Sequence, residues 1–133
     1  MPFGRQGIEK SIRAAAGVSP SDVLYLGLLV STGNPNTLAD EASASGYART
    51  PITFTIGSAP TYVATQSANI EFDFTATSDN IRGWFVSVTS SDNSNSDFQG
   101  NIVAYNDSYN LDSIGDGTTV TASNIQLRVS PTG

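Results

Sequence analysis

The sequence predicts an all-β fold, an antiparallel β-sandwich of jelly-roll type with a short N-terminal arm. Three observations carry that reading. The most apolar run, Val23 to Val30 (VLYLGLLV), holds no charge and has valine at both ends, as a central strand covered on both faces does. A buried helical segment is the alternative for this run. Further along, Ile70, Phe72 and Phe74 alternate with Glu71 and Asp73, the period-two signature of a half-buried strand. Seven or eight such short stretches, separated by Gly, Pro, Asn and Asp turns, suit a sandwich or jelly roll.

The elements follow in order. Residues 1–17 form a separate N-terminal arm, helical or extended, and residues 18–133 form the β domain. Ile8, Ile12, Ala15 and Ala16 fall at helical spacing, with Glu9, Lys10 and Arg13 facing elsewhere. Gly17 and Pro20 stop such a helix, which is too short to hold without a surface beneath it. After the first strand, Ser31 to Gly46 is a polar connection of about sixteen residues, longer than most loops. Ile52, Phe54 and Ile56 alternate with Thr53 and Thr55 as the next strand, and Pro51 puts its start at an edge or a bulge. Tyr62 to Thr65 is a short strand, followed by the alternating Ile70 to Phe74. Ile81 to Val88 has apolar residues on both faces. Ser90 to Gly100 is polar and is expected to be a flexible loop. Strands at Asn101 to Asn106, around Val120 and Ala122, and at Ile125 to Val129 complete the set, with a turn over Asp112 to Gly117.

Composition narrows the chemistry. Among 133 residues there is no cysteine and no histidine. Disulfides, thiolate metal sites and Ser-His or Cys-His nucleophile pairs are thereby removed. Twelve acidic residues against six basic ones give a net charge of −6, which argues against nucleic-acid and anionic-membrane partners. The charge is uneven. Arg5, Lys10 and Arg13 against Glu9 make residues 1–13 locally +2, while the other 120 residues, with three basic and eleven acidic groups, are locally −8. Such an arm is suited to an acidic partner. No signal-peptide pattern is present in residues 1–17 and no stretch is long enough to span a bilayer. The Asn106-Asp107-Ser108 triplet matches a glycosylation acceptor, which has meaning only in a secreted chain.

Candidate sites are few. Asp92 to Asp97 (DNSNSD) is dense in oxygen ligands, but it lacks the glycine and terminal glutamate of a calcium loop, and a solvated loop is the expectation. Asp112 and Asp116 around Gly115 read as turn formers. Glu41, Glu71 and Asp73 are the carboxylates to consider for glycoside hydrolysis; Glu71 and Asp73 share the solvent face of one strand, and no catalytic role is assigned. Trp84, Tyr47, Tyr62, Tyr105 and Tyr109 could stack on sugars, although strand aromatics usually pack. No cofactor, metal or catalytic residue is expected.

Several stretches, taken in order, resemble a family of small phage virion proteins commonly labelled tail fibre proteins. They are Leu24-Tyr25-Leu26-Gly27-Leu28, Gly46-Tyr47-Ala48-Arg49 with Ile52-Thr53-Phe54, Gly83-Trp84-Phe85-Val86, Gly100-Asn101-Ile102-Val103-Ala104-Tyr105 and Gly115-Asp116, closing on Ile125 to Val129. The resemblance covers residues 24 to 129. The Ser90 to Gly100 insert is longer than the family pattern, and the loop before Gly46 lacks its glycine run. The resemblance implies a non-enzymatic virion protein and brings no catalytic residues. Gly46 then permits a turn, Tyr47 packs, and Arg49 pairs with a carboxylate. Size, acidity and the cationic arm favour a head decoration or cement protein that binds the major capsid protein; a tail fibre, baseplate or adaptor component that contacts host glycans is the alternative. A homo-oligomer is expected, with a trimer favoured by shell symmetry. Arg5, Ile8, Lys10, Ile12, Arg13, Tyr47 and Arg49 are the candidate partner-binding residues.

Overall fold

A computed structural model describes residues 23–56, 62–108, 110–112 and 114–129. The arm, and with it the 17/18 boundary and the predicted helix, lies outside the described residues. Nine strands are present among the described residues: β1 (Leu24–Leu29), β2 (Thr50–Ile52), β3 (Phe54–Ile56), β4 (Tyr62–Gln66), β5 (Ile70–Asp73), β6 (Gly83–Ser87), β7 (Ile102–Asn106), β8 (Thr119–Ala122) and β9 (Gln126–Val129). A 3-10 turn spans Leu38–Asp40, and one helix, α1, spans Asn95–Asn101. The strands form three sheets in the orders β2-β1-β6-β7, β3-β4-β9 and β5-β8. Every pairing is antiparallel, so the all-β expectation holds.

β1 is the central strand that its composition predicts. Leu24, Leu26 and Leu28 project to one side and meet Ile52 and Val86 from the same sheet, with Ile70, Phe72 and Val120 from the β5-β8 ribbon. On the opposite side, Leu29 and Phe85 are covered by Phe98 of α1, and all three are fully buried. Apolar residues on both faces are needed because both faces are roofed. β5 shows the complementary case. Ile70 and Phe72 are buried, and Glu71 and Asp73 are exposed.

β1 outlasts its partner β2, which pairs only with Leu24, Leu26 and the residue between them. The exposed remainder of that edge is satisfied by other groups. The Leu28 amide donates to the Tyr47 hydroxyl at 3.1 Å, the Leu28 carbonyl accepts from Ala42 N at 3.0 Å, and Val30 N donates to the Asp40 carbonyl at 2.8 Å. Part of the long polar connection therefore runs as a makeshift strand, and Leu29 bridges Glu41.

Two expectations are corrected. The alternating Ile52-Phe54-Ile56 stretch is not one strand. It divides at Thr53, with β2 joining β1 and β3 joining β4 in another sheet. Periodicity continues across the break because Ile52 and Phe54, on either side of it, pack against the same core. The Ser90 to Gly100 segment is also not an irregular loop, since it contains α1. Ser94 caps that helix by accepting from Asp97 N at 3.1 Å, and Phe98 is buried against Phe85. An Asn-Ser-Asp composition has poor helix propensity, and the cap together with one buried aromatic ring overrides it.

Gly46 has φ +90°, and a Cβ there would overlap the Asp73 carbonyl oxygen at the end of β5. Gly33 shares φ +90° but faces open space. Gly46→Ala is therefore expected to lower stability by at least about 2 kcal/mol, and Gly33→Ala by about 1 kcal/mol from backbone strain alone. Urea denaturation of the two variants measures the difference; equal losses would show that the contact with β5 is unimportant.

Candidate functional site

The most concentrated group of ionisable side chains surrounds Arg49, just before β2. Its Nε donates to Glu41 Oε2 at 2.8 Å and its Nη2 to Glu41 Oε1 at 2.8 Å, a bidentate grip. Nη2 also donates to Asp92 Oδ2 at 2.7 Å. Nη1 donates to the Thr89 carbonyl at 3.0 Å, with the Ser87 and Thr89 hydroxyls each at 3.3 Å. The guanidinium lies over the Phe85 ring, 4.9 Å from its centroid, and 5.8 Å from that of Phe98. Side-chain exposure is 2% for Arg49, 1% for Asp92 and 14% for Glu41.

Each partner is positioned by a separate element. The Leu29–Glu41 bridge and the 3-10 turn hold Glu41 beside β1. That turn is fixed by Asp40, whose carboxylate accepts from Ser31 Oγ at 2.6 Å, Thr37 N at 2.9 Å and Asn36 N at 3.0 Å. Burial works against the Asp40 charge, but the bonds from Ser31, Asn36 and Thr37 outweigh it and hold the carboxyl below its ordinary range. Asp92 precedes α1, and its Oδ1 accepts from Asn101 Nδ2, at the far end of that helix, at 2.7 Å and from Thr89 Oγ1 at 3.0 Å. The Phe85 ring beneath the guanidinium lies across Gly27 of β1, where any Cβ would collide with it.

Tyr47 connects this cluster to the main core. Its ring stacks on Phe72 and Phe74, with centroids 5.7 and 6.2 Å away. Its hydroxyl donates to Glu41 Oε2 at 2.6 Å while accepting from the Leu28 amide. Burial, then the negative charge and hydrogen bond of Glu41, push its pKa far above the ordinary phenol range, so the hydroxyl remains a donor.

Two carboxylates and one guanidinium leave a formal charge of −1 in a nearly dry site. The excess is carried by neutral donors from Tyr47, Asn101 and Thr89. For Asp92, burial favours the neutral acid, yet hydrogen bonds from Asn101, Arg49 and Thr89 prevail and keep it ionised below the ordinary range. Burial likewise opposes the charge on Arg49, and the bonds to Glu41 and Asp92 overcome it. No buried side-chain N or O among the described residues lacks a partner. The cluster acts as a clamp that ties the 31–49 connection to the 87–101 segment.

The structure relocates several sequence-predicted residues. Arg49 does pair with a carboxylate, but it engages two, and it offers no exposed face to a partner. The Tyr47 ring and hydroxyl are likewise engaged inside the domain. Arg5, Ile8, Lys10, Ile12 and Arg13 lie outside the described residues. The Asp92 side chain, expected in a solvated loop, is turned inward and 1% exposed. Asp112 pairs with Arg82 at 3.1 Å on the surface, and Asp73 accepts from Thr119 Oγ1 at 2.7 Å. Trp84 packs against the main core and Tyr105 is exposed. Among the described residues, no three acidic side chains converge as metal ligands, and no helix is long and apolar enough to cross a membrane. The contributions of Asp92, Ser87, Thr89 and Asn101 had no sequence signal, because they depend on α1 folding back over β6.

Comparison with known protein families, curated proteins and solved structures finds no match to this chain.

Arg49→Met is expected to cost about 3–5 kcal/mol, because it leaves Asp92 buried without its cation. The pH dependence has a definite sign. A carboxyl whose folded pKa is depressed contributes stability above its unfolded pKa and loses it as pH falls through the folded value. The intact chain should therefore weaken below about pH 4, with Asp40 acting in the same direction. Asp92→Asn should flatten that slope while lowering stability at neutral pH. Guanidinium denaturation from pH 7 to pH 2 tests both; an unchanged slope would remove Asp92 from the account.

Proposed function

We propose that the protein is a non-enzymatic structural component of a bacteriophage virion, a decoration or cement protein that binds capsid subunits of the head. The observation that carries this reading is the closed Arg49 cluster. The side chains best suited to chemistry are tied to one another, and they join a long connection, a sheet and a helix into one body. A domain built that way suits a rigid adhesive role, in which affinity arises from repeated contacts around a shell. The ordered resemblance of residues 24 to 129 to small virion proteins supports the same reading.

The charge distribution supports a division of labour. Residues 1–13 are locally +2 and the rest of the chain locally −8. The arm supplies attachment to an acidic surface of the capsid, and the β domain caps the junction between subunits. A second reading, a tail fibre, baseplate or adaptor component, draws on the half-buried Trp84. It lies beside an apolar groove with Leu28, Val120 and Ile125, and the groove is edged by Thr121 and Ser123. A sugar ring stacks on such an aromatic face while hydroxyls bind its rim.

Purified protein added to heads that lack it should co-sediment with them, and particle maps should place it over subunit junctions. Removing residues 1–17 should weaken attachment and make the remaining binding less salt-sensitive, with the thermal midpoint of the β domain preserved. Density confined to the tail would overturn the head assignment. Glycan binding lost on Trp84→Ala would favour the second reading.

A further inference from the structure

We propose that the outer edge of β7 is a self-association surface, where two copies of the chain pair antiparallel across a two-fold axis at Tyr105. β7 ends the β2-β1-β6-β7 sheet, and no described residue pairs with its outer side. An edge strand presents a row of unpaired N–H and C=O groups that fits another strand.

The sheet ends differ in what guards them. β2 carries Pro51, and β5 carries Glu71 and Asp73; proline and charge are usual means of blocking an edge. β3 and β8 are uncharged but only three and four residues long. β7 has five residues, IVAYN, with neither charge nor proline. It also bears Tyr105, 42% exposed, and only Val23 matches it among the described large apolar side chains. Most strand surfaces leave such a ring covered, and pairing at this edge would cover it.

Charge selects a second copy as the occupant. The chain has a net charge of −6, so two copies approaching through most of the surface bring carboxylates together. At β7 they do not. A two-fold at residue 105 sets Tyr105 against its own copy and Ala104 against Asn106. Asp107 then lies past the paired stretch and not opposite another Asp107. Asp107 is in any case held by the Gly33 amide at 2.6 Å. β7 is bulged at Val103, which has no partner in β6; the stretch offered to a second copy is therefore Ala104 to Asn106, as short as β3 but centred on the exposed Tyr105 ring. Aromatic pairs directly opposite one another are among the favourable cross-strand contacts. A two-fold contact is closed, so this edge builds a dimer and not the trimer expected from the sequence. The inference does not depend on the virion assignment.

Sedimentation equilibrium of the full 133-residue chain should give a concentration-dependent mass reaching twice 13.9 kDa. Tyr105→Lys should raise the dimer dissociation constant about tenfold or more and leave the monomer's thermal midpoint unchanged. The absence of cysteine permits a second test. Directly opposed residues in an antiparallel pair have Cα atoms about 4.5 to 5.5 Å apart, within disulfide range. Tyr105→Cys should form a disulfide-linked dimer under mild oxidation much faster than Ser96→Cys, on the exposed side of α1. A mass of 13.9 kDa at every concentration up to millimolar, a threefold mass, a Tyr105→Lys variant that still dimerises, or equal cross-linking of the two cysteine variants would each overturn the proposal.

Discussion

The Arg49 guanidinium is the constraint on which the rest of the domain depends. Its donors reach Glu41, Asp92 and the Ser87–Thr89 turn, and its face rests on Phe85. Those groups come from a long connection, a strand and the approach to a helix. The strand is itself anchored by the buried Phe85 and Val86, and Arg49 ties the connection and the approach to the helix to it. A buried ion pair is not automatically stabilising, since desolvation can exceed the attraction. Here its benefit is one of uniqueness. This docking of the 31–49 connection leaves no described buried side-chain N or O without a partner, and misplacing it would strand a charge away from water.

The first sheet shows how that docking relates to the core. One face is closed by β5 and β8, and the other by Phe98 together with the arginine. Tyr47 reaches between them, with its ring among Phe72 and Phe74 and its hydroxyl at the β1 edge. A single phenol thus completes the hydrogen bonding of a strand that β2 leaves short, and it reports the state of the ionic cluster to the core. Apolar burial provides most of the favourable free energy, while the polar groups decide which of several compact arrangements forms.

Much of the architecture was legible in the sequence. The apolar run at Leu24–Leu29 and the alternation at Ile70–Asp73 encode their burial directly, because both depend on side-chain period alone. Turn residues marked most of the strand boundaries. What was hidden depends on contacts distant in sequence. Thr53 carries no mark of a sheet change, since threonine suits a strand interior as well as a break. The helix at Asn95–Asn101 owes its existence to Phe98 finding Phe85, and nothing in its local composition announces that pairing. Arg49 invited the expectation of a carboxylate partner, but the identity of Asp92, 43 positions away, could emerge only from the fold.

Thr53 also has a mechanical consequence. It alone separates β2 from β3, and these strands belong to different sheets. One residue spans only about 3.5 Å of chain, too little to act as slack. A pull along β2 is therefore passed to β3 with almost no slack, and the hydrogen bonds of β2 to β1 and of β3 to β4 share the load. The join makes the domain stiff in tension while leaving its loops free to vary.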